Sequence, residues 1–186
     1  RKKILITAFI LLTMLNSACA QNSEIIDTQN LMITDDGIQK PGNPIYSNTD
    51  TTKVNLSDEE WKEILPEDVY YIARKAGTER AFTGKYWNYK GKGTYYCAAC
   101  GNQLFRSDAK FASMCGWPSF YKQDDPDAIT FHEDNSYGMN RIETKCGRCD
   151  AHLGHIFDDG PEPTGKRYCI NSIVLDFVPD DPSKVD

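Results

Sequence analysis

The sequence predicts a mainly β domain: antiparallel strands preceded by two short helices and held by a zinc-ribbon-like four-cysteine site. Three observations predict it. Beyond Thr83 the chain breaks into short segments rich in Tyr, Phe, Ile, Val and Trp, separated by Gly, Asn, Asp and Pro, which is the pattern of strands and turns. Before that point two stretches carry helix start signals followed by apolar residues at helical spacing. Two CxxC pairs, Cys97/Cys100 and Cys146/Cys149, frame 45 intervening residues, the layout of a tetrathiolate metal site.

The elements follow in chain order. Arg1, Lys2 and Lys3 precede an apolar run from Ile4 to Leu15 and small residues at Ala18, Cys19 and Ala20, so residues 1–20 read as a signal peptide. The apolar run is short of the roughly 20 residues a membrane-spanning helix needs. Cleavage after Ala20 fits, and so does cleavage before Cys19 with lipid on its thiol. The segment Leu15 to Cys19 resembles a lipoprotein box, with Leu one position further from the cysteine than usual. An exported protein, periplasmic or anchored as a lipoprotein, is the expectation. Without residues 1–20 the formal charge moves from −6 to −9, which makes the protein a poor candidate for nucleic acid or anionic membrane surfaces.

Residues 21–55 are rich in Asn, Asp, Thr and Gly, with Pro41, Pro44 and the single aromatic Tyr46, and read as a flexible linker. Such a linker would hold the domain on the order of 30 Å from a lipidated Cys19. The folded domain is expected over 56–178, with a tail at 179–186. Ser57 with Glu60 forms a capping box for a helix through Trp61 and Ile64. Pro66, Glu67 and Asp68 open a second helix, with Val69, Ile72 and Ala73 on one face and Gly77 at its end. Strands are expected at Gly93–Tyr96, Asn102–Phe105, Ile129–His132, Met139–Thr144, His152–Phe157, Arg167–Asn171 and Ser172–Phe177.

Each CxxC loop delivers two sulfurs to one tetrahedral ion, so Cys97, Cys100, Cys146 and Cys149 are candidate ligands of one structural zinc. A pair of disulfides is the alternative in an oxidising compartment. Leu104 and Leu153 each lie four residues after the second cysteine of a pair, so the two loops are expected to be equivalent knuckles. Four thiolates close the coordination sphere, which leaves His152 and His155 available for proton transfer. His132, beside Glu133 and Asp134, reads as a surface residue.

Cys169 begins an apolar run and reads either as a buried structural cysteine or as a reactive one. Arg167 and Asn171 share its strand face, and the Arg167 charge is expected to favour a Cys169 thiolate. Cys115 lies in a Gly- and Pro-dense loop, where a second thiol could condense with an oxidised Cys169 to give a disulfide. Trp117 is either core or an aromatic wall for a sulfur-bearing substrate. A zinc-ribbon module without catalysis and a Cys/His hydrolase using Cys169 and His155 are competing readings.

Three stretches carry a specific resemblance: CGWPSF from Cys115 to Phe120, RCDAHLGHIFDDGP from Arg148 to Pro161, and RYCINS from Arg167 to Ser172. With them the chain resembles the B-type methionine sulfoxide reductases from about Ser57 to Phe177. The resemblance implies a β-tent-like fold and reduction of the R epimer of peptidyl methionine sulfoxide. It implies Cys169 as nucleophile, Cys115 as resolving thiol, structural zinc on the CxxC pairs, and Trp117 holding the substrate methyl group. His152, His155, Asp159, Arg167 and Asn171 match positions lining that site. The implied partners are oxidised proteins and a thioredoxin-like reductant, and the expected state is a monomer. Met114 departs from the family, where a small residue usually precedes the resolving cysteine.

Overall fold

The computed structural model describes residues 24–26 and 31–181. The expected signal segment, Cys19, and all but the first three residues of the tail lie outside the described residues. No helix among those described is long and apolar enough to cross a membrane.

A three-stranded antiparallel sheet comes first, from β1 (Glu24–Ile26), β2 (Leu31–Thr34) and β3 (Gly37–Gln39). Helices α1 (Asp58–Ile64) and α2 (Glu67–Lys75) follow. A central sheet joins β4 (Gly93–Cys97), β5 (Gln103–Arg106) and β12 (Leu175–Pro179) in the order β12-β4-β5. The main sheet holds β6 (Lys110–Phe111), β7 (Ser119–Phe120), β8 (Ile129–Asp134), β9 (Arg141–Cys146), β10 (His152–Phe157) and β11 (Arg167–Ile170), in the order β6-β7-β11-β10-β9-β8. Every pairing is antiparallel.

Local chemistry explains the helices. The Ser57 hydroxyl accepts from Glu60 N–H while the Glu60 carboxylate accepts from Ser57 N–H, the reciprocal capping box. Pro66 stands at the N-cap of α2, and Ala76 ends that helix in a left-handed conformation one residue before Gly77. Val69, Ile72 and Ala73 are buried as their spacing requires, and α2 packs against β10.

The core lies between the central sheet and one face of the main sheet. Phe105 stacks on Phe120 at 4.1 Å, and Tyr95 meets Phe120 edge-on at 5.0 Å. The strand expectations hold with shifts at the ends. Ser172–Val174 is a 3-10 turn, so the last strand begins at Leu175 and not at Ser172. The expected strand from Met139 begins at Arg141, because a 3-10 turn at Ser136–Gly138 precedes it.

The reading of 21–55 as a flexible linker requires correction over 31–55. Leu31, Ile38 and Tyr46 are buried together against Tyr96. Lys40 pairs with the buried Asp176 at 2.8 Å, and Ser47 N–H donates to the Cys100 carbonyl at 3.0 Å. The fastener is Arg148, only 5% exposed, in the second cysteine loop. Its guanidinium donates to the carbonyls of Ile45, Thr52 and Cys100 and pairs with Asp50, while its own carbonyl accepts from Val54 N–H. Residues 40–54 therefore form a strap over both cysteine loops.

Replacing Arg148 with Ala strips the donors from several strap carbonyls. A loss of about 2–4 kcal/mol is expected in chemical denaturation, the range for breaking a buried hydrogen-bond network. Limited proteolysis should cut the variant within 40–54 while the wild type resists there. An unchanged cleavage pattern would show that the strap is held by other contacts.

Candidate functional site

The two cysteine loops are equivalent turns. Cys97 N–H donates to the Asn102 carbonyl at 2.8 Å, and Cys146 N–H donates to the Ala151 carbonyl at 2.9 Å. In return the Cys97 carbonyl accepts from Gly101 N–H and the Cys146 carbonyl from Asp150 N–H. The fifth residue of each turn is left-handed: Gly101 at φ 81° and Asp150 at φ 57°. Glycine takes that conformation freely, and Asp is among the few other residues that tolerate it.

The turns face each other and bring four buried sulfurs within 4.8 Å of one another. The near contacts run between loops, Cys97 to Cys149 at 3.8 Å and Cys100 to Cys146 at 3.6 Å, and no disulfide joins any of the four. A tetrahedral ion with metal–sulfur bonds of about 2.3 Å needs sulfur separations of about 3.8 Å. The cluster could therefore hold a metal ion with no opening of the turns. The arrangement does not match a disulfide within each loop.

The second cluster lies on one face of the main sheet. Register sets Phe111 opposite Ser119, Ser119 opposite Cys169, Cys169 opposite His155, His155 opposite Glu143, and Glu143 opposite His132. One row thus crosses all six strands. His132 is exposed at its far end, as expected of a surface residue. A bulge between His152 and Gly154 turns His152 onto the same face, where its ring lies 5.6 Å from that of His155. At Gly154 the Cys169 carbonyl would lie only 2.0 Å from an added Cβ, so only glycine lets β10 approach the backbone of β11 here.

Cys115 comes to the row from its loop. Its Sγ is 3.6 Å from Cys169 Sγ, 2.9 Å from the Ser113 hydroxyl and 3.3 Å from the Ser119 hydroxyl. Hydrogen bonding from the Cys169 thiol, then from both serines, brings the Cys115 thiol down to about 4. The same contact, with burial, pushes Cys169 well above the thiol range, and Arg167 only partly opposes this. Arg167 therefore acts on Cys169 in the expected direction but does not dominate. Its guanidinium is also tied to Asp159 by two 2.8 Å bonds. The pair gives up one proton readily and holds the second between the sulfurs.

Two carboxylates that sequence reasoning missed fix the histidines. Glu143 Oε1 lies 2.6 Å from His152 Nδ1, and Asp134 Oδ2 lies 2.7 Å from His155 Nε2. Bonds from Ser136, then His155 and Arg141, hold Asp134 well below the usual carboxylate range. An ionised carboxylate only accepts, so His155 carries its proton on Nε2 and keeps Nδ1 unspent. Burial pushes His152 down despite Glu143, which favours a neutral ring with Nδ1–H facing that carboxylate. Sequence offered one signal for these partners, the acidic residues within the strands β8 and β9, but no register to connect them.

The remaining predicted residues divide. Trp117 is half-buried, and its Nε1–H donates to the Glu79 carbonyl at 3.1 Å. Asn171 is 4% exposed, with Nδ2 donating to the Leu153 carbonyl and Oδ1 accepting from Glu79 N–H. Asp159 serves Arg167 as an ion-pair partner. The four-cysteine cluster and the Cys115–Cys169 pair are separate sites, as the sequence suggested, and β10 begins three residues after Cys149 and carries both histidines.

Comparison with known proteins matches residues 65–179 to the SelR domain family. The peptide methionine sulfoxide reductase MsrB of Methanosarcina mazei is 56% identical over 126 residues, covering 68% of this chain and 90% of that protein. The enzyme of the same name from Agrobacterium fabrum is 52% identical over 133 residues, covering 72% and 98%. That of Acinetobacter baylyi is 54% identical over 129 residues, covering 69% and 93%. The SelR match begins at residue 65, so β1–β3, the strap and α1 precede it.

A Cys115 thiol lowered to about 4 is ionised above that pH. Iodoacetamide should therefore alkylate Cys115 readily at pH 6. Cys169→Ala removes the largest cause of the lowering, so the midpoint should rise toward the ordinary thiol value and alkylation at pH 6 should fall about tenfold or more. Peptide mapping across pH 4–9 reads both. A midpoint near that of a free thiol in both proteins would contradict the assignment.

Proposed function

The chain belongs to the SelR-domain family and is an oxidoreductase of the peptide methionine sulfoxide reductase MsrB type, and from this premise we propose that it reduces the R epimer through Cys169 and Cys115. The observation that carries the proposal is the 3.6 Å separation of those two sulfurs, with Cys169 directly opposite His155. Cys169 is the nucleophile and Cys115 the resolving thiol.

The chemistry balances in three steps. Cys169 sulfur attacks the sulfoxide sulfur, its own proton having passed along the short contact to Cys115. The S–O oxygen needs a proton to leave sulfur, and His155, opposite Cys169, supplies it from Nδ1–H when its ring is doubly protonated and its Nε2–H is held by Asp134. His152, neutral and buried, is the less able donor and instead lines the pocket. Methionine leaves, and its oxygen remains on Cys169 as a sulfenic acid. Cys115 then attacks that sulfur, water leaves, and a Cys115–Cys169 disulfide forms. An external dithiol of thioredoxin type returns both thiols to the reduced state.

Trp117 supplies an aromatic wall for the substrate methyl group, and Arg167, braced by Asp159, keeps positive charge beside the sulfurs. Cys97, Cys100, Cys146 and Cys149 would hold one structural zinc, which would crosslink the two turns and leave no open position for chemistry. The basic and apolar residues 1–20 support export, with oxidised exported proteins as substrates and Cys19 as a membrane tether. Radiolabelled palmitate on Cys19 is the expected sign of that tether, and a cytosolic, unlabelled product would oppose it.

Purified protein with dithiothreitol should convert a peptide carrying the R sulfoxide and leave the S epimer intact. Conversion of the S epimer alone would refute the assignment. Without reductant, mass spectrometry should find the Cys115–Cys169 disulfide after one equivalent of methionine has formed.

Elemental analysis should give one zinc per chain. In Cys97→Ser the zinc should fall and the unfolding midpoint should drop. A Cys97→Ser protein that melts like the wild type would remove zinc from its structural role.

A further inference from the structure

Trp117 and Asn171 reach the site from different parts of the chain, each two residues after one of the two cysteines. Both side chains are held by the same peptide unit region. Glu79 accepts the Trp117 Nε1–H on its backbone carbonyl at 3.1 Å and donates its backbone N–H to Asn171 Oδ1 at 3.0 Å. The loop between α2 and β4 that carries Glu79 has no sheet or helix to fix it.

What fixes it is the Glu79 side chain. Its carboxylate accepts Ser172 N–H at 2.6 Å and Ile173 N–H at 3.1 Å, the two amides that follow Asn171. Nearby, Phe82 N–H donates to the Gly116 carbonyl at 2.8 Å, which ties the same loop to the residue before Trp117. Asn171 Nδ2 completes the connection by donating to the Leu153 carbonyl in β10. The indole, the amide and the chain just beyond Cys169 thus share one reference point.

We propose that Glu79 is a positioning residue for sulfoxide reduction, setting the Trp117 indole and the Asn171 amide relative to Cys169. This rests on the proposed sulfoxide reduction and on the role proposed for Trp117 at the substrate. Glu79 acts through them and makes no contact with either sulfur. Without its carboxylate, the Glu79 peptide is released from the 3-10 turn. Misplacement of a substrate-orienting group by about 1 Å can cost on the order of 100-fold in rate. The Cys115–Cys169 contact does not pass through Glu79, so disulfide closure should be spared.

The test compares full-length wild type, Glu79→Ala and Glu79→Gln in two reactions. One is single-turnover methionine formation from an R-sulfoxide peptide without external thiol. The other is disulfide closure driven by one equivalent of hydrogen peroxide, which oxidises a thiol directly and bypasses the sulfoxide pocket. Glu79→Ala should slow methionine formation by about 10- to 100-fold and leave peroxide-driven closure within about twofold. Glu79→Gln keeps the length and one carbonyl acceptor, so a smaller fall of about 3- to 10-fold is expected, with closure again unchanged. Should Glu79→Ala not fold, Glu79→Gln alone carries the comparison.

Methionine formation at the wild-type rate in the variants would overturn the inference. So would an equal fall in both reactions together with a lowered unfolding midpoint, which marks a residue needed only for folding. A wild type that makes no methionine would instead overturn the proposed function on which the inference rests.

Discussion

The constraint on which the structure depends is the meeting of two matched turns from different sheets. The turn after β4 belongs to the central sheet and the turn after β9 to the main sheet, and their four sulfurs share one small buried volume. Neither turn could close on the other if its fifth residue were confined to negative φ. Gly101 and Asp150 supply that conformation in the two turns. Once the turns are joined, β10 starts at a fixed place beside β9, and everything on the face that carries His152 and His155 inherits that register. The strap from 40 to 54 and the Arg148 guanidinium close over the same turns from outside.

Register then becomes chemistry. A one-residue slip of β10 would turn His155 away from Cys169 and break the row across the sheet. The bulge at His152 does the opposite for that residue, turning it onto the row's face. Each positive or proton-bearing group near the sulfurs has a carboxylate partner: Asp159 for Arg167, Asp134 for His155, Glu143 for His152. These pairs fix orientation and tautomer before substrate arrives, and the main freedom left is which sulfur holds the shared proton. Such preorganisation places the charges in advance of the reaction.

Much of this was legible in the sequence because it is local. The Ser57–Glu60 box, the apolar stripe of α2 and the paired CxxC loops each depend on residues within a few positions, and short aromatic and β-branched segments between turn residues marked the strands. The stretches around Cys115 and Cys169 singled out two thiols that the structure brings within 3.6 Å of each other. The strap was illegible because Leu31, Ile38 and Tyr46 are sparse among Asn, Asp and Thr. Their burial depends on Tyr96, Asp176 and Arg148 far along the chain. Glu143 and Asp134 escaped for a related reason, since their roles exist only after four strands are aligned and one is bulged. The effect of Arg167 was read correctly from strand spacing, but the stronger effect of Cys115 requires the loop to be placed in space.

Cys169 is the proposed attacking sulfur although the resting geometry favours charge on Cys115. Removing the thiols one at a time tests it most directly, with the R-sulfoxide peptide, no external thiol, and dimedone to trap sulfenic acid. Cys115→Ala should release one equivalent of methionine and carry the dimedone adduct on Cys169, while Cys169→Ala should release none. Methionine from Cys169→Ala, with an adduct on Cys115, would contradict it.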